Sequence, residues 1–180
     1  MPRNGRRTES HIETMVDWFD CRGYNVIFER GGDSHIDHSA GRGGEVVVDS
    51  SPSLECQLHT LLHEAGHYMV SRRRNYTTKF SHGYPAVHGI VNTGRARTMR
   101  HWVHKVQEEV EAWEEGLNLA KLLGISIRTQ AWERNKCPAL MSYFREAIHG
   151  WALKSRSKIT LDKALRTATR RAEHRRKKSK

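Results

Sequence analysis

Two histidines and a glutamate interrupt an apolar run in the stretch LLHEAGHYMV, Leu61 to Val70. On an α-helix, residues four apart lie about 40° apart around the axis, so His63 and His67 share one face. Two imidazoles so placed can hold one Zn²⁺ at about 2.0–2.1 Å each. Glu64 is rotated by about 100° from His63, which stands it beside the metal rather than on it. That is where a general base for an activated water belongs, and the chemistry this spacing predicts is attack of water on a carbonyl. Gly66 leaves space next to the histidines, while Leu61, Leu62, Tyr68, Met69 and Val70 anchor the helix in a core. A metal would let these polar groups tolerate burial. HExxH also arises by chance on surface helices; the apolar neighbours and two strand-like runs upstream favour the metal site here.

A hydrolytic centre of this kind needs a third protein ligand and one position left for water. The extended spacing HExxHxxGxxH is excluded, because Val70 and Arg73 stand at its Gly and third His positions. Glu109 in VQEEVEAWEEGLNLA and His82 in FSHGYP are the two candidates. Glu108 or Glu111 replaces Glu109 if the helix phase is shifted, and Glu114 and Glu115 read as a solvated face.

On LLHEAGHY and EEVEAWEEG, within roughly Val46 to Gly116, the chain resembles small gluzincin-like metallopeptidases, among them phage-encoded and repressor-cleaving types. The resemblance implies Zn²⁺ held by His63, His67 and Glu109, with Glu64 as general base. It implies peptide-bond hydrolysis in a protein or peptide substrate. Trp113 departs from the pattern, since many gluzincins carry Asp or Asn there to support a ligand histidine. A shorter resemblance joins HEAGH to His82-Gly83, as in SprT-like proteases that act on DNA-bound proteins, and implies His82 as the third ligand. The aromatic residue that usually follows that pair is displaced: Tyr84 comes too early and Pro85 and Ala86 follow. No zinc-ribbon tail accompanies it. If His82 is not a ligand, it joins Tyr84 and His88 as candidates to polarise the substrate carbonyl from a cleft loop. His35 and His38 read as solvated loop residues. His101 and His104 fall on the first turns of a long helix, and His59, four before His63, is within reach of a supporting role.

The elements around these residues read as a single α+β domain, residues 1–155, with a small β-sheet packed on a helical body and the HExxH helix covering it. TESHIETMVDWFDCRG carries a helical stripe at Ile12, Met15, Val16 and Phe19, with Ser10 and Glu13 as a capping box near its start. YNVIFER and GEVVVDS are strand-like, joined by the loop GGDSHIDHSAGRG. Ser51 and Pro52 open the HExxH helix. The irregular segment 75–94 should line the cleft. A second long helix runs over about 97–123 and ends at Gly124. After the extended ISIR, Pro138 opens a further amphipathic helix.

The 180 residues hold no run of 18 apolar residues and no apolar leader, which predicts no membrane span and a cytoplasmic setting, the host's if the chain is phage-encoded. Cys21, Cys56 and Cys137 form no CxxC pair and read as reduced thiols. The net charge of +11 is uneven: positions 156–180 hold eleven Lys/Arg against Asp162 and Glu173. This basic C-terminal helix or tail, with Arg170, Arg171, Arg175, Arg176, Lys177 and Lys178 at its end, suits sequence-independent contact with nucleic acid phosphates, or a solvated terminus. The rival to an enzyme is a non-catalytic nucleic-acid-binding protein with a structural metal site. Glu64 speaks against it, because such a site has no need for a base. Oligomeric state is not legible in the sequence.

Overall fold

A computed structural model of the protein describes residues 3–38, 43–73 and 99–154. Helix α1 spans Arg3–Asp20 and buries Met15 and Phe19 of the expected stripe, with Ile12 and Val16 half-buried. It begins two turns earlier than expected. Ser10 is therefore interior, where its carbonyl accepts a hydrogen bond from Thr14 Oγ1 at 2.9 Å, and no capping box forms with Glu13.

Strands β1 (Tyr24–Glu29), β2 (His35–Asp37) and β3 (Gly44–Asp49) form one sheet in the order β1-β3-β2. β3 runs parallel to β1, with Tyr24 opposite Gly44, and antiparallel to β2, with His35 opposite Val47. β2 lies inside the stretch expected to be loop. Its three residues, His-Ile-Asp, are too few and too polar to display a strand's alternation. Along β3 the alternation is clear: Val46 and Val48 are fully buried and pack with Met15 and Phe19.

Helix α2, Leu54–Ser71, carries the HExxH residues. Its N-cap is Ser53, whose Oγ accepts from the Cys56 amide at 3.4 Å, rather than Ser51. Gln57 secures that entry by donating to the Pro52 carbonyl at 2.8 Å. Helix α3, Met99–Leu122, ends where expected, with Gly124 at φ +67°. Helix α4, Thr129–Lys154, begins nine residues before Pro138, which sits inside it. Pro138 removes one backbone donor but does not set the boundary, because the preceding turns are pinned independently. Trp132 is 1% exposed, and Arg128, just before the helix, grips both carboxylate oxygens of Glu55 at 2.9 and 2.6 Å.

The core lies between one face of the sheet and the helices. Leu58, Leu61, Leu62 and Ala65 of α2 meet Trp113, Leu119 and Ala120 of α3, with Trp132 of α4 closing the layer. The fold is α+β, a small mixed sheet on a helical body. Helices α2 and α3 are antiparallel and touch closely. A Cβ on Gly66 would overlap the Ala112 carbonyl, and a Cβ on Gly116 would overlap that of Leu62. Among the described residues no helix is long and apolar enough to cross a membrane.

Candidate metal centre

The close contact of α2 with α3 sets three side chains around a common point. His63 and His67, one turn apart on α2, bring their Nε2 atoms within 3.2 Å of each other. From α3, Glu109 Oε2 lies 3.4 Å from the first and 3.3 Å from the second. A tetrahedral cation with bonds of about 2.0–2.1 Å spaces neighbouring ligands about 3.3–3.4 Å apart. An octahedral one at the same bond length draws them to about 2.8–3.0 Å. Among the described residues Glu109 Oε2 is buried without a well-formed hydrogen bond, although both imidazole nitrogens face it. Three donors converging on one point are a group that can hold a metal ion.

The electrostatics point the same way. Glu64, Glu108 and Glu109 are all buried, so the site concentrates carboxyl groups in a poorly solvated place. Burial works to lower the His67 pKa, but Glu109, then Glu64 and Glu108, outweigh it and raise it to about 9. Burial likewise works to raise Glu109, and the two imidazoles overcome it, holding the carboxyl well below its usual range. Each shift expresses one demand, for positive charge among these carboxylates.

A cleft of about 480 Å³ opens over the three donors. Glu64 and Glu108 line it from the helices, Ser34, His35 and His38 from the sheet side, and Tyr143 from α4. Glu64, next to His63, is therefore in the cleft without belonging to the donor triangle.

The helix phase is settled among the glutamates of α3. Glu109 faces the histidines, and Glu111 instead accepts from Arg73 at 3.0 Å. Glu115, expected on a solvated face, also pairs with Arg73, which ties the end of α2 to α3. Glu114 is exposed, as expected. His38 is not a solvated loop residue: it is half-buried, and its Nδ1 lies 2.7 Å from the Tyr24 hydroxyl. His104 is half-buried on α3 and does not line the cleft. His82, Tyr84 and His88 lie outside the described residues, as do Arg170, Arg171, Arg175, Arg176, Lys177 and Lys178.

Two features behind the ligands were not read from the sequence. Trp113, one turn after Glu109, stacks on the His63 ring with centroids 4.4 Å apart and planes 23° apart. Its i, i+4 spacing from Glu109 was the available signal. Deeper in, Asn135 of α4 places its amide nitrogen 2.7 Å from His59 Nδ1. The Cys56 thiol donates to the Asn135 oxygen at 3.7 Å, which orients the amide as a donor to His59. Burial lowers the His59 pKa and favours the neutral ring, with its proton on Nε2.

Compared with known proteins, the chain matches no family model, no curated protein and no solved structure.

Proposed function

We propose that the chain is a zinc-dependent metallopeptidase in which His63, His67 and Glu109 hold the ion and Glu64 is the general base. The observation that carries this reading is the donor triangle, with edges of 3.2, 3.3 and 3.4 Å, at the floor of an open cleft. Two imidazole nitrogens and one carboxylate oxygen suit Zn²⁺, and their spacing supports a tetrahedral ion. Structural zinc sites are closed by four protein ligands, whereas three ligands beside a cleft leave room for water and substrate.

Zinc in this site supplies Lewis acidity, polarising a carbonyl and making water a nucleophile near neutral pH. The Glu64 carboxylate accepts the proton of the attacking water as its oxygen bonds to the peptide carbonyl carbon. It then delivers that proton to the amide nitrogen as the C–N bond breaks, leaving a carboxylate and an amine. Buried Glu109, held ionised by the two imidazoles, keeps the floor of the cleft anionic, which favours retention of the ion. The basic stretch 156–180 holds the chain near nucleic acid without reading sequence.

The direct test is digestion of an unstructured protein by the purified chain, with added zinc and with a chelator. New amino termini that appear only with zinc support the reading. Zinc-replete protein that never cleaves unstructured or folded substrates contradicts it.

A further inference from the structure

A ligand histidine must be held so that its lone pair points at the metal, and a hydrogen bond from its other ring nitrogen to a carboxylate or carbonyl commonly does this. Among the described residues His63 lacks that device. Its Nδ1 is buried and has no hydrogen-bond partner among the described residues. Something else fixes the rotation of this ring about its Cβ–Cγ bond.

We infer that Trp113 is the positioning residue for His63, orienting the ligand by stacking rather than by a hydrogen bond. The indole lies almost parallel to the imidazole, at 23° and 4.4 Å. Rotation of His63 would drive its ring edge into the indole face, so the stack holds Nε2 at its corner of the donor triangle. Trp113 is itself immobilised. It is 4% exposed, and Trp132 abuts it edge-on at 4.9 Å and 76°. His59 abuts Trp132 in turn at 5.1 Å and 76°. Among the described residues Trp113 Nε1 is buried without a hydrogen-bond partner, so toward His63 this residue contributes its face and not its N–H.

One face of α3 thus delivers a ligand and its neighbour's support together, Glu109 and, four residues on, Trp113. The arrangement has a chemical consequence. A carboxylate on Nδ1 would make His63 a stronger donor, and stacking does not. An imidazole drained of electron density by a cation is instead favoured by the electron-rich indole face.

The inference rests on the metal-centre reading, and zinc titration of the full chain separates the two. Zinc uptake is measured against a competing chelator while tryptophan emission is recorded, for wild type, Trp113→Phe and Trp113→Leu. Wild type should bind zinc with a change in emission, because the indole over His63 senses the ion. Trp113→Phe keeps a flat ring; it should bind nearly as tightly and lose most of the emission change. Trp113→Leu fills the space without a ring face, and should bind about 10–100-fold more weakly at unchanged helical content. A Trp113→Leu protein that binds like wild type overturns the inference and leaves the metal centre intact. So does a Trp113→Phe protein that keeps the emission change, or one that binds as poorly as Trp113→Leu. Wild type that takes up no zinc overturns both.

Discussion

Gly66 and Ala112 meet backbone to backbone: a Cβ on the glycine would occupy the space of the Ala112 carbonyl oxygen. Gly66 lies between His63 and His67, and Ala112 lies between Glu109 and Trp113. The contact therefore sets the depth at which α2 and α3 bring their ligands together.

Gly66→Ala should abolish the metal site. In an unencumbered helix that change stabilises by about 0.8–1 kcal/mol, but here the added methyl meets backbone, which cannot swing aside. The expected result is a lower melting temperature and loss of zinc binding. Gly5→Ala in α1, where a Cβ meets nothing within 4 Å, is the control and should leave both unharmed. A Gly66→Ala protein with full zinc content would show that the helices can part without cost to the site.

Glu64→Gln should separate binding from chemistry. Glu64 is in the cleft but outside the donor triangle, so the amide should retain about one zinc per chain. Hydrolysis should fall by about 10²–10⁴-fold, the span of a lost general base. Hydrolysis at wild-type rates would remove Glu64 from the mechanism.

The pH dependence of stability should differ between chelated and zinc-loaded protein. The His67 pKa is raised from 6.5 to about 9, so its protonation contributes stability that is full below 6.5 and lost as pH rises through about 9. Glu109 is shifted down from 4.5, so its contribution is full above that value and lost as pH falls through the folded pKa. The two contributions overlap fully between 4.5 and 6.5. Chelated protein should therefore melt at progressively lower temperature from pH 6.5 to 9. Zinc replaces the His67 proton, and loaded protein should show little of that decline. Melting curves at pH 5.5, 7.5 and 9 decide it; a chelated protein that gains stability over that range contradicts the assignment.

Removal of residues 155–180 should spare zinc uptake and lower affinity for duplex DNA or RNA at low salt. The deleted stretch holds most of the chain's net charge and none of the three proposed ligands. A phosphate-driven interaction also weakens steeply as salt is raised. Unchanged binding by the truncated chain would relieve the tail of that role.

Much of this arrangement was legible from residue types and spacing. His63 and His67 are fixed on one face by the helical period alone, and Val46 and Val48 by the strand period. Choosing Glu109 among the five glutamates of this stretch required the packing phase of α3, which the positions of Gly66 and Gly116 determine only once two helices are placed together. The helix starts were misplaced where local signals competed. Ser53 caps α2 although Ser51-Pro52 offers the stronger local pattern, because Gln57 folds back onto the Pro52 carbonyl. Pro138 looked like a beginning because nothing in the sequence announces that Trp132, six residues earlier, is already buried in a helix. The stack of Trp113 on His63 was hidden for another reason: an aromatic residue at helical spacing ordinarily reads as core.

The three-residue centre is open to one decisive measurement, zinc content by elemental analysis of wild type, Glu109→Ala and His82→Ala side by side. About one zinc per chain is expected in wild type and in His82→Ala, with loss of zinc in Glu109→Ala. Full zinc in Glu109→Ala with loss in His82→Ala would contradict that centre and move the third ligand to the segment after α2.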